Sequence, residues 1–291
     1  MKISVLIFSF CFASLNSGTQ TISSAEDSLR FFGDAMFSLK LPINKSYAES
    51  RFLELANRLV QNNKDSNLLK FHPSFIITGS NDQSVKIISW QIESDFTDYH
   101  YCAYFFIKDL KPVFLKSINR NLDRINYETF NQENWYGAMY YHFLPETING
   151  YYTILGYRFS KEGYKYRIID LLKIHNGMVE FGSPLFKSVS EDGNEDFLYR
   201  KIISYSPSAN IIVKYDEESK MIMYDHVERF IDPKSGEVLR VPDGTFEAFE
   251  LKNNYWNYIP YHKLQNLETP PREKPVLDNR KKDLFGREKR N

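Results

Sequence analysis

Apolar positions along this chain follow two periods, and the change between them falls near residue 66. Within residues 21–66, Leu29, Phe32, Met36 and Leu39 recur at spacings of three and four, which places them on one face of a helix. A second stripe, Phe52, Leu53, Ala56, Leu59 and Val60, follows the tetrapeptide Ser46-Tyr47-Ala48-Glu49. That tetrapeptide has the form of a capping box, in which a Ser hydroxyl and a Glu carboxylate satisfy amides that open a helix. Pro42, with no amide hydrogen, marks a break between the stripes. Residues 21–66 therefore predict a helix pair that packs on the domain after it and ends in the polar run 62–66.

From Leu68 the pattern shifts to alternation and short apolar runs, the period of strands. Runs 71–78 and 84–92 flank Gly79-Ser80-Asn81-Asp82, and runs 101–107 and 112–115 flank residues 108–111; both read as hairpins. Residues 117–134 are polar and read as a long loop with one helical turn. Strands are expected at 135–143, 151–158 and 164–174, and Asn176-Gly177 is the strongest turn signal in the chain. The acidic run 188–196 reads as an exposed loop. Strands are expected at 197–205, 209–215 and 221–227, so residues 202–227 read as three strands in succession, ending on Asp225-His226. Turns are expected at 232–236 and at Pro242-Asp243-Gly244, and a last hairpin turns at Asn253-Asn254. The predicted organisation is a leader at 1–20, helices at 21–66, a β-rich domain at 67–264 and a disordered, Pro- and charge-rich tail at 265–291.

With strands following strands and no strand–helix alternation, a doubly wound parallel sheet is excluded. The expected fold class is α+β: a mostly antiparallel β domain, either a sandwich or an open barrel-like sheet, preceded by the helix pair. No repeat recurs at a constant period, which disfavours a propeller or solenoid.

Composition sharpens this in three ways. Aromatic residues make up 16% of the chain, with 23 Phe and 20 Tyr, which suits strands and a sizeable core. Lys plus Arg and Asp plus Glu both number 37, so the formal net charge is zero and no basic field for nucleic acid is present. The start, Met1-Lys2 followed by an apolar run to Leu15, has the form of a secretory signal and is too short to span a bilayer, which takes roughly 20 residues. Export to the periplasm or beyond is therefore expected, with no transmembrane segment once the leader is removed. Cys11 falls inside the apolar run, where bulky Phe8 and Phe10 argue against a lipid anchor. Cys102 then stands alone, with no partner for an intramolecular disulfide, and reads as a small core residue.

Chemical motifs are few. The six His form no HExxH, two Cys cannot make a paired-Cys zinc pattern, and no P-loop, GxGxxG or GxSxG occurs. His226-Val227-Glu228 has an H-x-E spacing without the PCxxC that accompanies it in zinc deaminases. Neither a metal nor a cofactor is expected. The acidic turns 216–218 and 191–196 carry oxygens suited to calcium but lack the EF-hand spacing, so they read as solvated turns. Asp225-His226 is the one adjacent acid–histidine pair and the weak candidate for general acid–base chemistry. Neighbours on a strand point to opposite faces, so both act on one substrate only if the strand ends or bulges there. Trp135, Tyr136, Tyr140 and Tyr141 raise a sugar-stacking hypothesis, with core packing favoured over it. In the tail, Leu284 and Phe285 form an apolar pair within charge, a candidate anchor for an envelope partner.

The order of motifs Glu133–Met139, Phe181–Phe186, Tyr215-Asp216-Glu217, Met223–His226, Val241–Phe249 and Lys281–Gly286 resembles a family of secreted Bacteroidota proteins. The resemblance spans roughly residues 85–286, with Val227 where the family has Leu. It implies an envelope location and no catalytic assignment, because that family has no established activity. The expectation is a non-enzymatic binding or structural protein. The alternatives are a glycan- or peptide-directed hydrolase and a small-molecule-binding β-barrel protein.

Overall fold

The computed structural model describes residues 24–93, 99–118, 122, 125–160, 163–189, 192–233 and 235–260. The leader with Cys11 and the tail with Leu284 and Phe285 lie outside the described residues. The chain divides into two compact units between Asn63 and Lys64.

The first unit is a helix pair, α1 (Ala25–Ser38) and α2 (Pro42–Asn63). Ser24 caps α1, its hydroxyl oxygen accepting the Asp27 amide at 3.0 Å. Helix α2 starts five residues earlier than a cap at Ser46 would place it. Pro42 opens it because its fixed φ suits the first helical position and the missing amide would have no partner there. Ser46 and Glu49 consequently lie inside α2 and form no cap. Leu29, Met36, Phe52, Ala56 and Val60 are buried, as the two stripes require.

The second unit holds three open sheets, antiparallel except at one pairing. Residues 66–69 and 125–127 form short 3-10 turns. The first sheet is a meander of β1 (Ile76–Gly79), β2 (Val85–Glu93), β3 (Tyr99–Ile107) and β4 (Val113–Lys116). The middle sheet contains β5 (Phe130–Asn131), β6 (Met139–Ile148), β7 (Tyr151–Phe159), β8 (Lys165–His175) and β9 (Met178–Phe181), in the order β5-β9-β8-β7-β6. Asn176 and Gly177 join β8 to β9 with φ of 50° and 77°. The third sheet contains β10 (Phe186–Val189), β11 (Glu195–Leu198), β13 (Val213–Asp216), β14 (Met221–Ile231), β15 (Val238–Lys252) and β16 (Tyr255–Ile259), in the order β11-β10-β16-β15-β14-β13. The strand between β11 and β13, β12 (Lys201–Tyr205), instead pairs with β8.

The middle sheet is buried on both faces. Ile154, Ile168 and Leu172 share one core with Val85, Ile87, Ala103 and Phe105 of the first sheet. Leu155, Ile169 and Leu171 share another with Ile222, Tyr224, Phe249 and Trp256 of the third. This explains why Ile168, Ile169, Leu171 and Leu172 read as an apolar run, interrupted by Asp170, and not as an alternation.

Sequence expectations change in this unit too, and the loop expected at 188–196 is the turn of a hairpin whose strands β10 and β11 take up both of its ends. The strand expected from residue 135 starts at Met139, because Gly137 takes φ 87° where its Cα lies too close to Tyr101 and Ser117 for any side chain. The strand expected over 197–205 divides between two sheets at Tyr199-Arg200. Residues 202–227 are therefore not three strands of one sheet; only β13 and β14 pair. Pro242-Asp243-Gly244 is no hairpin turn but an irregularity within the long strand β15.

Candidate functional site

That irregularity borders a polar cleft in the second unit. The β14–β15 ladder runs in register from Met221 opposite Glu250 to Asp225 opposite Phe246, and resumes with Val227 opposite Pro242. Asp243, Gly244 and Thr245 thus face the single residue His226, and the extra chain bulges outward. The bulge turns Asp243 onto His226, whose Nδ1 lies 2.9 Å from Asp243 Oδ2. Asp243 Oδ1 accepts from the Thr245 amide at 2.8 Å and from its hydroxyl at 2.7 Å. Burial opposes ionisation of Asp243, but the Thr245 amide and hydroxyl and His226 outweigh it, so the carboxyl lies below its ordinary range.

Asp225, the sequence neighbour, does something else. It is buried, its Oδ2 accepts the Ile212 amide at 2.7 Å, and its own amide donates to the Ile212 carbonyl at 3.1 Å. It thereby pins the irregular run before β13 to β14. The carboxylate on the histidine's Nδ1 comes from Asp243, seventeen residues away.

Between β12 and the β14–β15 pair lies a cleft of about 340 Å³, lined by Lys201, Ser204, His226, Glu228, Arg229, Arg240 and Glu247 among others. One end is tied: the Ser206 amide donates to the Arg240 carbonyl at 2.9 Å, and the Arg240 amide donates to Ser206 Oγ at 2.7 Å. Lys201 reaches in from β12. Its ammonium is 3.9 Å from Glu247 Oε2 and sits over the rings of Tyr224 and Tyr258, at 5.4 and 5.7 Å from their centres. Tyr258 donates its hydroxyl hydrogen to the other Glu247 oxygen. Burial lowers the Lys201 pKa, partly offset by Glu247. Ser204 Oγ is buried with no hydrogen-bond partner. Ser204 stands opposite Tyr166 in the β12–β8 ladder, on the strand face opposite Lys201.

A second polar cluster, absent from the sequence reading, lies inside the core shared by the first and middle sheets. Asp170 and Arg200 are both fully buried, with Nε donating to Oδ1 at 3.1 Å. Asp170 Oδ2 accepts the Tyr136 hydroxyl at 2.6 Å, and Oδ1 accepts the Leu171 amide at 2.8 Å. Arg200 Nη1 donates to the carbonyls of Ile125 and Glu128 and lies over the rings of Phe130 and Tyr136. Burial drives the Tyr136 phenol well above its usual pKa, with Asp170 adding to the rise. With no solvent contact, this network braces the fold. Its signal was one charged residue inside the apolar run of β8.

The remaining sequence candidates fall as follows. Trp135, Tyr136 and Tyr140 are fully buried and stack around Phe181, so they offer no face to a sugar; Tyr141 is half-buried under Arg167. Cys102 is fully buried. In the acidic turn at 216–218, Asp216 is occupied by Ser219. Leu284 and Phe285 are outside the described residues. Among the described residues, no helix is long and apolar enough to cross a membrane. Neither a protein-family model, nor a curated protein, nor a solved structure matches the chain.

Proposed function

We propose that this is an exported, non-catalytic binding protein whose ligand enters the cleft between β12 and β14–β15. The leader-like start and the motif resemblance support export. The observation that carries the binding reading is the charged lining of the cleft, where Lys201, Arg229 and Arg240 stand beside Glu228 and Glu247. A volume of about 340 Å³ is at the small end of ligand sites, which run from about 300 to 1,000 Å³. Three cations, Lys201, Arg229 and Arg240, face two carboxylates, Glu228 and Glu247, and this suits a small molecule with an anionic group and a hydroxyl or amine beside it. The test is a thermal-shift panel of small carboxylates and phosphates on the full chain. A binder at about 100 times its Kd should stabilise by about 2.7 kcal/mol. Lys201→Met and Arg240→Met should abolish that shift while leaving the unliganded melting temperature within a few degrees. A shift that survives both substitutions would place the ligand elsewhere.

A second reading, a glycan- or peptide-directed hydrolase, is favoured by one observation: the Asp243–His226 pair has a carboxylate on Nδ1, the orientation used in acid–base catalysis. Against it, Ser204 Oγ bonds to nothing, so the histidine activates no serine there. Hydrolysis of a glycan or peptide substrate that falls with His226→Gln in a folded protein would decide for the enzyme. Leu284 and Phe285 remain the proposed contact for an envelope partner. Recovery of the same protein from native envelopes with and without both side chains would remove them from that role.

A further inference from the structure

We propose that His226, Glu228 and Asp243 form a site for a divalent transition-metal ion at the mouth of the cleft. They offer one imidazole nitrogen and two carboxylate oxygens, and these ligand atoms lie within 4.8 Å of one another. The backbone explains how they meet. His226 and Glu228 are two apart on β14, where alternate side chains share a face. Asp243 joins them because the extra residues of β15 swing out opposite His226. Without that bulge the ladder would carry Asp243 past the histidine. Asp243 is also oriented from behind: Thr245 holds Oδ1 with two hydrogen bonds and leaves Oδ2 turned to the imidazole. Metal-binding carboxylates are commonly held in this way by outer partners.

The dimensions fit a small ion. Zinc bonds of about 2.0–2.2 Å in a tetrahedron hold neighbouring ligand atoms roughly 3.3–3.6 Å apart. His226 Nδ1 and Asp243 Oδ2 stand at 2.9 Å, so a small separation of the two side chains reaches that spacing. Glu228 is exposed and closes the remaining distance by side-chain rotation. One imidazole with two carboxylates suits zinc or manganese better than thiolate-seeking ions. Three protein ligands leave a fourth position open, beside the cleft that Arg229, Arg240 and Lys201 line. An anionic oxygen of the cleft's ligand would complete the shell. That last step rests on the binding reading above; the metal site itself does not.

The experiment titrates zinc alone into the full chain by calorimetry at neutral pH. One ion per chain is expected. His226→Gln, Glu228→Gln and Asp243→Asn should each weaken binding by at least about tenfold. Asp216→Asn, a turn carboxylate outside the cleft, should leave it unchanged. Circular dichroism of each variant confirms that it is folded. Cobalt in place of zinc should give visible d–d bands with no thiolate charge-transfer band, and His226→Gln should remove them. Absence of zinc binding, binding indifferent to His226→Gln, or a thiolate band would each overturn the site. Repeating the anion panel with and without zinc separates the two readings. Anion shifts without any zinc binding sink the metal site alone, whereas zinc binding without anion shifts sinks the ligand reading alone.

Discussion

Asp170 and Arg200 show what a single charged residue requires inside an apolar strand. Arg200 runs beneath Gly182, which adopts φ 85° and whose added Cβ would lie 2.2 Å from Arg200 Nη2. The glycine is thus needed twice, for its backbone angle and for the room it leaves. Removing either ion strands the other in the core, and Asp170→Ala should cost about 3–5 kcal/mol in chemical denaturation. Arg200→Met added to Asp170→Ala should restore part of that loss, because no unpaired charge then remains. A loss below about 1 kcal/mol for the single change would show that water reaches the pair. At this scale the sequence was least legible. Strand parity correctly set Asp225 and His226 on different errands, but nothing local identified Asp243 as the histidine's carboxylate. That pairing depends on two extra residues in a ladder whose register only the folded sheet defines.

Elements were easier to read than pairings. The Asn176-Gly177 and Asn253-Asn254 hairpins and the helix stripes follow from local rules, because turn chemistry and period act within a few residues. The destination of β12 does not, since a strand of five residues carries no signal for which sheet it joins. The β1–β2 turn offers a test at this scale. Asp82 there is lowered from 3.8 to about 2, first by the Ser80 hydroxyl, then by the Ser84 amide and hydroxyl, with Tyr152 of β7 also donating. A carboxyl depressed on folding adds stability above its unfolded pKa and loses it as pH falls toward the folded value. The loss therefore falls between pH of about 4 and about 2. Asp82 is largely exposed, so screening keeps the effect to about 0.5 kcal/mol or less. In acid unfolding, Asp82→Asn should flatten the stability slope across that window. Equal slopes for the two proteins would show that the turn contributes nothing.

For the whole molecule, the middle sheet is the common wall of two cores, and Trp256 links the third sheet to it. Its ring is fully buried and its Nε1 donates to Thr153 Oγ1 of β7 at 3.0 Å. Trp256→Ala should cost about 3–5 kcal/mol, most of it from the cavity. Thr153→Val should cost only about 1 kcal/mol, the worth of one hydrogen bond. Similar losses from both, measured by urea unfolding, would mean that the bond and not the packing holds the sheets together. The α+β class was legible in the sequence because each period was long and consistent. The layering was legible only in the unalternating run of β8, whose meaning requires knowing that both of its faces are covered.

The parallel pairing in the third sheet sets an order of events in time. There β16, the last described strand, lies between β10 and β15 and bonds to both. Until it emerges, β10 and β11 have no edge by which to join the other three strands of that sheet. A growing chain can form the first sheet and much of the middle one while it is still being made, but the third must wait for its C-terminal residues. Contacts between positions so far apart close slowly. A chain with this topology stays incompletely folded until Tyr255–Ile259 has been made, so a chain halted before those residues should hold the first sheet without the third.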